Sequence, residues 1–294
     1  MSEPLTKVAI VIPVHNRRDT TLQALRSLAR IDTSGLDLHL IVVDDGSTDG
    51  TSEAIRMSFP DVEIVRGDGT LHYAGGTNIG IEAALLSGPE FVVTANDDTI
   101  FHEKFLQSLI LSARNNPDSV IGGLLLLWDK PDKIFQVGFE WRTMRGGWRQ
   151  PHGRSVSDFP SELFEVEGLA GNCVLIPTRA IRECGLMDSK RFPHGWGDIQ
   201  YFVRMRKRGW RLLVDPKALV WCEPNSYPPP LHMESMRRRI DVLFRDSRHP
   251  LNLHRQFIAR WESAPTKVHA LAGFAIYVIQ LTSKATKQML GRTG

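Results

Sequence analysis

Cysteine is scarce in this sequence, which has three cysteines among 294 residues. Cys173, Cys184 and Cys222 are odd in number, and no two of them have C-x-x-C spacing. This pattern argues against both a disulfide framework and a zinc site. We therefore expect a reducing, cytoplasmic setting and a fold that is stabilised by its core.

Long apolar runs are also absent. The N-terminal segment of seven residues is short and polar and leads directly into an apolar segment, which is not the layout of a secretory signal. The longest apolar stretch near the C-terminus, residues 270–281, is about half of the roughly 20 residues that a membrane-spanning helix needs. We expect neither a signal peptide nor a transmembrane helix.

The sequence lacks a strong excess of one charge, since its formal net charge is +3. This value is too small to indicate nucleic acid as a partner. Basic residues nevertheless cluster in the segments 204–211 and 237–248. A solvated helix face would explain these clusters, and so would a phosphate-bearing ligand or an anionic membrane surface.

The hydrophobic content, 42% of residues, is sufficient for one large domain or two modest ones. Continuous apolar runs indicate buried parallel strands at 8–13, 38–43, 62–65 and 91–94. Segments with helical spacing separate them, including predicted helices at 52–59 and 78–87. This alternation predicts right-handed βαβ crossovers and an α/β fold with a mostly parallel sheet.

Two acidic clusters follow predicted strands directly. Asp44 and Asp45 come after the second strand, and Asn96, Asp97 and Asp98 come after the fourth. Ligands of open α/β sheets bind at the carboxyl ends of the strands, so these side chains are expected to converge there.

Several motifs follow one another along the chain. In order, they are Pro13-Val14-His15-Asn16, the string DDGSTDGT at 44–51, Ala74–Gly80, Asn96-Asp97-Asp98, and Gly197-Asp198 followed by Arg204. Together they resemble the family 2 glycosyltransferases, which are inverting enzymes with the GT-A fold. The resemblance covers about residues 7–225 and is nearest to the rhamnosyltransferase-like branch. It implies a GT-A domain over residues 1–225, with a nucleotide-sugar half at 1–120 and an acceptor half at 121–225. Residues 226–294, after the breaker NSYPPP at 225–230, are expected to form a helical C-terminal appendage.

The resemblance implies a donor site built from Pro13, His15, Asn16, Asp44, Asp45, Gly75, Gly76, Asn78, Asn96 and Asp97. A carboxylate at a strand end can accept hydrogen bonds from a uracil or thymine imide and from ribose hydroxyls, which is the role given to Asp45 or Asp44. A capped turn is the alternative. The two glycines and Asn78, placed just before a helix, would bring backbone N–H groups close to an anion.

The Asn96-Asp97-Asp98 cluster matches the family's Asp-x-Asp motif except at its first position. The resemblance makes Asp98 the first ligand of Mn²⁺ or Mg²⁺ and Asp97 the second, with a ribose contact as the alternative for Asp97. Such a metal would neutralise charge on the departing diphosphate. Many relatives have a further His ligand past residue 215, where this chain has Trp221-Cys222-Glu223, and His232 is a loose substitute.

Asp198 matches the catalytic base of the family, which lies in a Glu-Asp motif before a helix. This chain departs from the pattern, because Gly197 replaces the acidic neighbour and Gln200 stands where Asp is common. Simple capping of the helix is the alternative role, and His194 is then the next candidate for the base.

These expectations favour inverting, metal-dependent transfer of a hexose from a UDP- or dTDP-sugar to a glycan or lipid-linked glycan acceptor in surface polysaccharide synthesis. A sugar nucleotidyltransferase is one alternative, although Pro13-Val14-His15-Asn16 lacks the glycine-rich loop it needs. A non-catalytic nucleotide- or glycan-binding module is the other.

The C-terminal segment 265–290 has apolar residues at helical spacing, flanked by Lys267, Lys284 and Lys287. Such a helix could lie in a membrane interface at the inner face of the cell membrane. The alternative is a helix that packs on the domain or forms a homodimer contact.

Overall fold

The computed structural model describes residues 4–193, 195–223, 235–246, 249 and 251–290. His194 and His232, the two substitutes named above, lie outside the described residues. The chain divides into two compact units, one made of Met1–Gly138 and Pro151–Pro224 and the other of Phe139–Gln150 and Asn225–Gly294.

Twelve strands are present in the described part of the chain. They are β1 (Thr6–Val14), β2 (Leu36–Asp44), β3 (Glu63–Arg66), β4 (Phe91–Thr94), β5 (Thr99–Phe101), β6 (Ser119–Leu127), β7 (Lys130–Gln136), β8 (Glu140–Arg142), β9 (Gly147–Arg149), β10 (Phe164–Glu165), β11 (Val174–Pro177) and β12 (Arg211–Cys222). All except β8 and β9 form one ten-stranded sheet in the order β10-β12-β6-β11-β4-β1-β2-β3, with β5 paired to β12 and β7 to β6.

The sheet is mixed, and its N-terminal part is parallel. β3, β2, β1 and β4 are parallel neighbours, as are β6 and β12. β11 runs antiparallel to both β4 and β6. Residues 8–12 of β1 are at most 1% exposed, as expected for a parallel strand that is covered on both faces. The predicted α/β fold with a mostly parallel sheet is confirmed.

The described residues form nine α-helices. They are α1 (Arg18–Leu28), α2 (Thr51–Ser58), α3 (His72–Leu86), α4 (Phe105–Asn115), α5 (Thr178–Cys184), α6 (Gly197–Lys207), α7 (Met236–Ile240), α8 (Leu253–Ser263) and α9 (Lys267–Leu290). Buried side chains of α1, α2 and α4 form one core on one face of the sheet, and those of α3, α5 and α6 form a second core on the other face. The first unit is therefore a three-layer α/β/α structure.

The start of α3 corrects the sequence prediction of a helix at 78–87, because the helix begins at His72. The glycines that suggested a loop are used for close packing instead. A Cβ at Gly76 would lie 3.0 Å from the Pro13 Cβ, and one at Gly80 would lie 2.2 Å from Val11 Cγ1. The backbone of α3 thus lies directly against β1, and glycine is the residue that permits this distance.

The second unit combines the β8–β9 hairpin with the C-terminal helices. Trp148 Nε1 donates to Ser263 Oγ at 2.7 Å, and Arg260 Nε donates to the Gly146 carbonyl at 2.7 Å. A Cβ at Gly146 would lie 3.1 Å from Tyr277. The hairpin, which the sequence prediction placed in the acceptor half, is therefore part of the compact unit that contains α8 and α9. The predicted boundaries at 120 and 225 remain predictions.

No helix in the described ranges is long and apolar enough to cross a membrane.

Candidate functional site

The loops that follow β1 and β2 are joined side by side at the carboxyl edge of the sheet. Asn16 N donates to Ser47 Oγ at 2.9 Å, and Asn16 Oδ1 accepts from Thr48 N at 2.7 Å. His15 Nδ1 lies 2.6 Å from the carbonyl oxygen of Asp45. The structure thus brings the first and second predicted donor motifs together.

Asp44 lies at the end of β2 and its side chain is fully buried. Its Oδ1 accepts from Ser47 N at 2.8 Å, and its Oδ2 accepts from the Ser52 hydroxyl. Burial opposes ionisation, but these hydrogen bonds outweigh it and lower the pKa of Asp44. The carboxylate therefore stabilises the turn between β2 and α2.

Asp45 connects the same turn to the segment before α3. Its Oδ1 accepts from Gly69 N at 2.8 Å, and its Oδ2 accepts from His72 N at 3.0 Å. Asp45 is 5% exposed, so its carboxylate is buried within this loop cluster. Both carboxylates organise the loops, and their contact with a donor remains a prediction.

Gly75, Gly76 and Asn78 all lie within α3. The Gly75 amide donates to the Leu71 carbonyl at 3.1 Å. The Asn78 side chain exchanges two hydrogen bonds of 2.9 Å with the backbone of Met187. These residues therefore have structural roles within α3 and against Met187. Their contact with a donor remains a prediction.

The acidic cluster after β4 is held by an arginine that the sequence analysis missed. Arg17 Nη1 lies 3.2 Å from Asp97 Oδ1 and 3.3 Å from Asp98 Oδ2. Its Nη2 lies 3.1 Å from Glu223 Oε2, at the end of β12. The only sequence signal for Arg17 was its position immediately after the Pro13–Asn16 motif.

The pKa values of the cluster reflect burial of like charges. Burial, with a smaller contribution from the neighbouring Asp98, raises the pKa of Asp97 to about 7, although Arg17 opposes this rise. Burial also raises the pKa of Asp98. A single guanidinium therefore does not fully stabilise the ionised carboxylates at this edge.

Asp198 lies in the first turn of α6. It is far from the acidic cluster in the sequence, but a chain of hydrogen bonds through residues 171 and 172 connects the two. Its Oδ2 accepts from Gly171 N at 2.9 Å, and its Oδ1 accepts from Ile199 N at 2.9 Å. A Cβ at Gly171 would lie 2.1 Å from the Tyr73 hydroxyl and 3.0 Å from the Asp198 Cβ. Glycine at 171 thus permits Tyr73 and Asp198 to flank this backbone.

Asn172, which the sequence analysis also missed, joins the acidic loop to the same segment. Its Oδ1 accepts from Asn96 N at 2.9 Å, and its Nδ2 donates to Thr99 Oγ1 at 2.9 Å. The preceding carbonyl, of Gly171, accepts from Thr94 Oγ1 at 2.7 Å. Residues 171–172 therefore fix the candidate base and the candidate metal loop relative to each other.

The family model described as "Glycosyl transferase family 2" matches residues 9–183, which is more than half of the chain. The chain belongs to glycosyl transferase family 2. The family predicted from the motifs is confirmed.

Curated relatives include two enzymes that are named for lipid-linked substrates. The N-acetylglucosaminyl-diphospho-decaprenol L-rhamnosyltransferase of Mycobacterium tuberculosis is 24% identical over 62% of this chain and 65% of its own length. The undecaprenyl-phosphate 4-deoxy-4-formamido-L-arabinose transferase of Edwardsiella ictaluri is 27% identical over 52% of this chain and 46% of its own length. The match spans less than two thirds of each of these relatives.

Solved structures show the same fold. GalNAc-T7, solved with UDP, GalNAc and Mn²⁺, has a TM-score of 0.63 at 14% identity and covers 93% of this chain and 54% of its own. TarS 1-349 of S. aureus, in complex with UDP, has a TM-score of 0.56 at 13% identity and covers 90% of this chain and 68% of its own. The predicted GT-A fold is confirmed by this likeness.

Backbone strain in the family 2 domain gathers at these loops. The non-glycine residues of the described chain with positive φ are Asn16 (52°), His72 (55°), Cys173 (58°) and Trp196 (65°). Each lies in or beside a loop that carries a candidate site residue. Because such conformations cost about 1–3 kcal/mol each and persist where surrounding contacts impose them, their clustering supports a functional site here.

The residues of the acidic cluster fit a divalent cation of the kind that the family implies. In the part of the chain that the structure describes, no group of three or more His, Cys, Asp or Glu side chains is placed to hold a metal ion. Mg²⁺ at a diphosphate commonly uses only one or two protein carboxylates, with phosphate oxygens and water completing its coordination. Asp98 and Asp97 would supply such oxygens, in a region where carboxylates outnumber the neighbouring cation.

Proposed function

We propose that this chain is an inverting, metal-dependent glycosyltransferase that moves a hexose from a UDP- or dTDP-sugar to a glycan or lipid-linked glycan acceptor in surface polysaccharide synthesis. The observation that carries the proposal is the connection through Gly171 and Asn172. These two residues link the candidate base Asp198 to the Asn96–Asp98 loop at the edge of the sheet where the donor motifs also lie.

On the donor side, the nucleoside would lie against the loops of His15, Asn16 and Asp45. Asp98, with Asp97, would hold Mn²⁺ or Mg²⁺, which would neutralise the diphosphate as it leaves. The carboxylates alone would repel a diphosphate, and a bound cation would remove that repulsion.

On the acceptor side, the carboxylate of Asp198 takes the proton from the acceptor hydroxyl as its oxygen attacks the anomeric carbon. The bond from that carbon to the diphosphate oxygen breaks on the opposite face, and the nucleoside diphosphate leaves. One displacement inverts the anomeric configuration. The amides of Gly171 and Ile199 orient the carboxylate for this step.

The names of the relatives support the substrate classes. Two relatives are named for transfer that involves decaprenol- or undecaprenyl-linked molecules. The likeness in fold extends to structures that contain UDP, and one of them also contains Mn²⁺. We therefore propose a lipid-linked acceptor and a site of action at the cytoplasmic face of the membrane.

A peripheral membrane contact through α9 is consistent with such an acceptor. Val268, Leu271, Ala275 and Ile279 follow one another at intervals of three or four residues and are all exposed, so they form one apolar face of the helix. We define these four residues as the α9 apolar face. A homodimer contact through the same face is the alternative.

The proposed function is tested by incubating the protein with UDP- and dTDP-hexoses, a polyprenyl-diphosphate-linked sugar and Mn²⁺. We expect a glycosylated lipid product and one nucleoside diphosphate per transfer. Asp98→Ala should remove Mn²⁺-dependent donor binding, measured as the ligand-induced rise in thermal stability, while the protein stays folded. An absence of both product and Mn²⁺-dependent stabilisation across the panel would contradict the proposal. Release of pyrophosphate from a nucleoside triphosphate and a sugar phosphate would identify a nucleotidyltransferase instead.

A further inference from the structure

Among the residues that the structure describes, Arg17 is the cation that pairs with the carboxylates that we assign to the metal. It lies at the start of α1, and its guanidinium spans Asp97, Asp98 and Glu223 at 3.1–3.3 Å. The aspartates are well buried, with side chains 8% and 16% exposed, whereas the Arg17 side chain is 38% exposed. The arginine therefore reaches the cluster from its solvent side.

Arg17 is only a partial counter-ion of the three carboxylates. Three carboxylates meet one guanidinium, so the group carries a net negative charge when all of them are ionised. Burial of like charges is unfavourable, and a further cation relieves it. A divalent ion would satisfy this need, which a single arginine does not.

The same carboxylates bind the arginine and would bind the metal. Arg17 contacts Asp97 Oδ1 and Asp98 Oδ2 through a single nitrogen, Nη1. A divalent cation bound to these carboxylates would repel the guanidinium and compete with it for their oxygens.

We propose that Arg17 is an exchangeable counter-cation of the metal site. It stabilises the carboxylates in the metal-free protein, it withdraws from Asp98 and Asp97 when the divalent cation binds, and it thereby weakens the affinity of the free site for metal. This inference rests on the metal assignment within the proposed function. Its consequence is that the cation binds well only when a diphosphate supplies further ligands, so that metal and donor bind together.

Withdrawal of Arg17 is sterically simple. Its side chain is partly exposed, and among the described residues the guanidinium contacts are the three carboxylates alone. Release from Asp97 and Asp98 leaves Glu223, whose side chain is 58% exposed, as a partner for the displaced guanidinium.

The experiment compares Mn²⁺ binding by the wild type, Arg17→Gln and Arg18→Gln, using the electron paramagnetic resonance signal of free Mn²⁺ at one fixed pH. Arg18 is the matched control because it is the adjacent arginine on α1 and pairs with the exposed Asp19 at 3.0 Å. Without nucleotide, we expect Arg17→Gln to bind Mn²⁺ about fivefold more tightly than the wild type, the change that corresponds to loss of one partly screened ion pair. Arg18→Gln should bind like the wild type.

A second readout is the thermal stability of each protein with and without Mn²⁺. Arg17→Gln should unfold at a lower temperature than the wild type in the absence of metal and should gain more from saturating Mn²⁺. Arg17→Lys, which keeps a cation, should show a Mn²⁺ affinity close to that of the wild type, and it provides a folded variant if Arg17→Gln does not fold.

Equal or weaker Mn²⁺ binding by Arg17→Gln would overturn the proposal and leave Arg17 as a fixed structural partner of the cluster. An absence of Mn²⁺ binding by all of the variants and the wild type would overturn it as well. Sugar transfer by the wild type is measured separately, so transfer with an unchanged Mn²⁺ affinity would reject the role of Arg17 while the proposed function stands.

Discussion

At the residue scale, the role of Asp198 as the catalytic base can be tested by a conservative substitution, because two backbone amides hold its carboxylate in place. Asp198→Asn keeps an oxygen acceptor for one of these amides and removes the proton acceptor. We expect unchanged donor affinity and a loss of transfer by about two to four orders of magnitude, as for a removed general base. Single-turnover measurements at saturating donor give the rate, and near-normal transfer would show that Asp198 only caps α6.

Asp44 gives a residue-scale prediction of pH dependence. Its side chain is fully buried, and hydrogen bonds from Ser47 and Ser52, opposed by burial, lower its pKa below the ordinary value of 3.8. A lowered pKa means that the ionised carboxylate stabilises the fold above the unfolded pKa and that this contribution is lost as the pH falls through the folded pKa.

We therefore expect Asp44→Asn to lower the free energy of unfolding at pH 7 by about 1–3 kcal/mol, the cost of leaving buried donors poorly satisfied. Urea unfolding of both proteins between pH 7 and pH 3 measures it. The difference between wild type and variant should shrink below pH 3.8, as the wild-type carboxyl also becomes protonated. A difference that stays constant over this range would show that the charge of Asp44 does not contribute.

At the element scale, the glycines of α3 position the helix rather than interrupt it. Gly80→Ala would place a Cβ 2.2 Å from Val11 Cγ1. Alanine favours a helix over glycine by about 1 kcal/mol, but overpacking a closely packed core costs about 1–3 kcal/mol. We expect net destabilisation, measured by urea unfolding. Glu82→Ala, at an exposed position of the same helix, is the control and should be close to neutral, and equal stability of the two variants would show that the α3–β1 contact relaxes freely.

The same elements show how far sequence patterns reach. The apolar runs located β1, β2, β3 and β4 to within two residues, because strands buried on both faces need continuous hydrophobic sequence. The start of α3 was predicted six residues late, at 78 instead of His72. The glycines of Ala74–Gly80 suggested a flexible loop when only the sequence was considered. They are needed instead because α3 packs closely against β1, which is a tertiary contact.

At the scale of the whole molecule, membrane association through α9 can be tested by substitutions that leave the helix in place. A Cβ added at Gly273 would lie 3.0 Å from Trp141 Cζ2, so α9 packs closely within its unit. Deletion of this helix would therefore disturb the unit. Substitution of Val268, Leu271 and Ile279 by Gln instead changes only the α9 apolar face, where these side chains are 53–74% exposed.

We expect this triple variant to lose sedimentation with anionic vesicles, because it removes apolar area that would enter the membrane interface. Ser283→Ala, at an exposed position of the same helix, is the control. Vesicle binding equal to that of the wild type would contradict the membrane contact. A change from dimer to monomer in light scattering, with unchanged vesicle binding, would assign the α9 apolar face to a homodimer.

The sequence by itself determined the family and the α/β architecture, because buried strands and tight loops impose local residue patterns that can be recognised in order. Only the tertiary structure revealed Arg17, Gly171 and Asn172 at the site, and the grouping of the β8–β9 hairpin with α8 and α9. Arg17 meets Glu223 across 206 positions of the chain. A pairing at that separation depends on the arrangement of strands in the sheet, which no local pattern encodes.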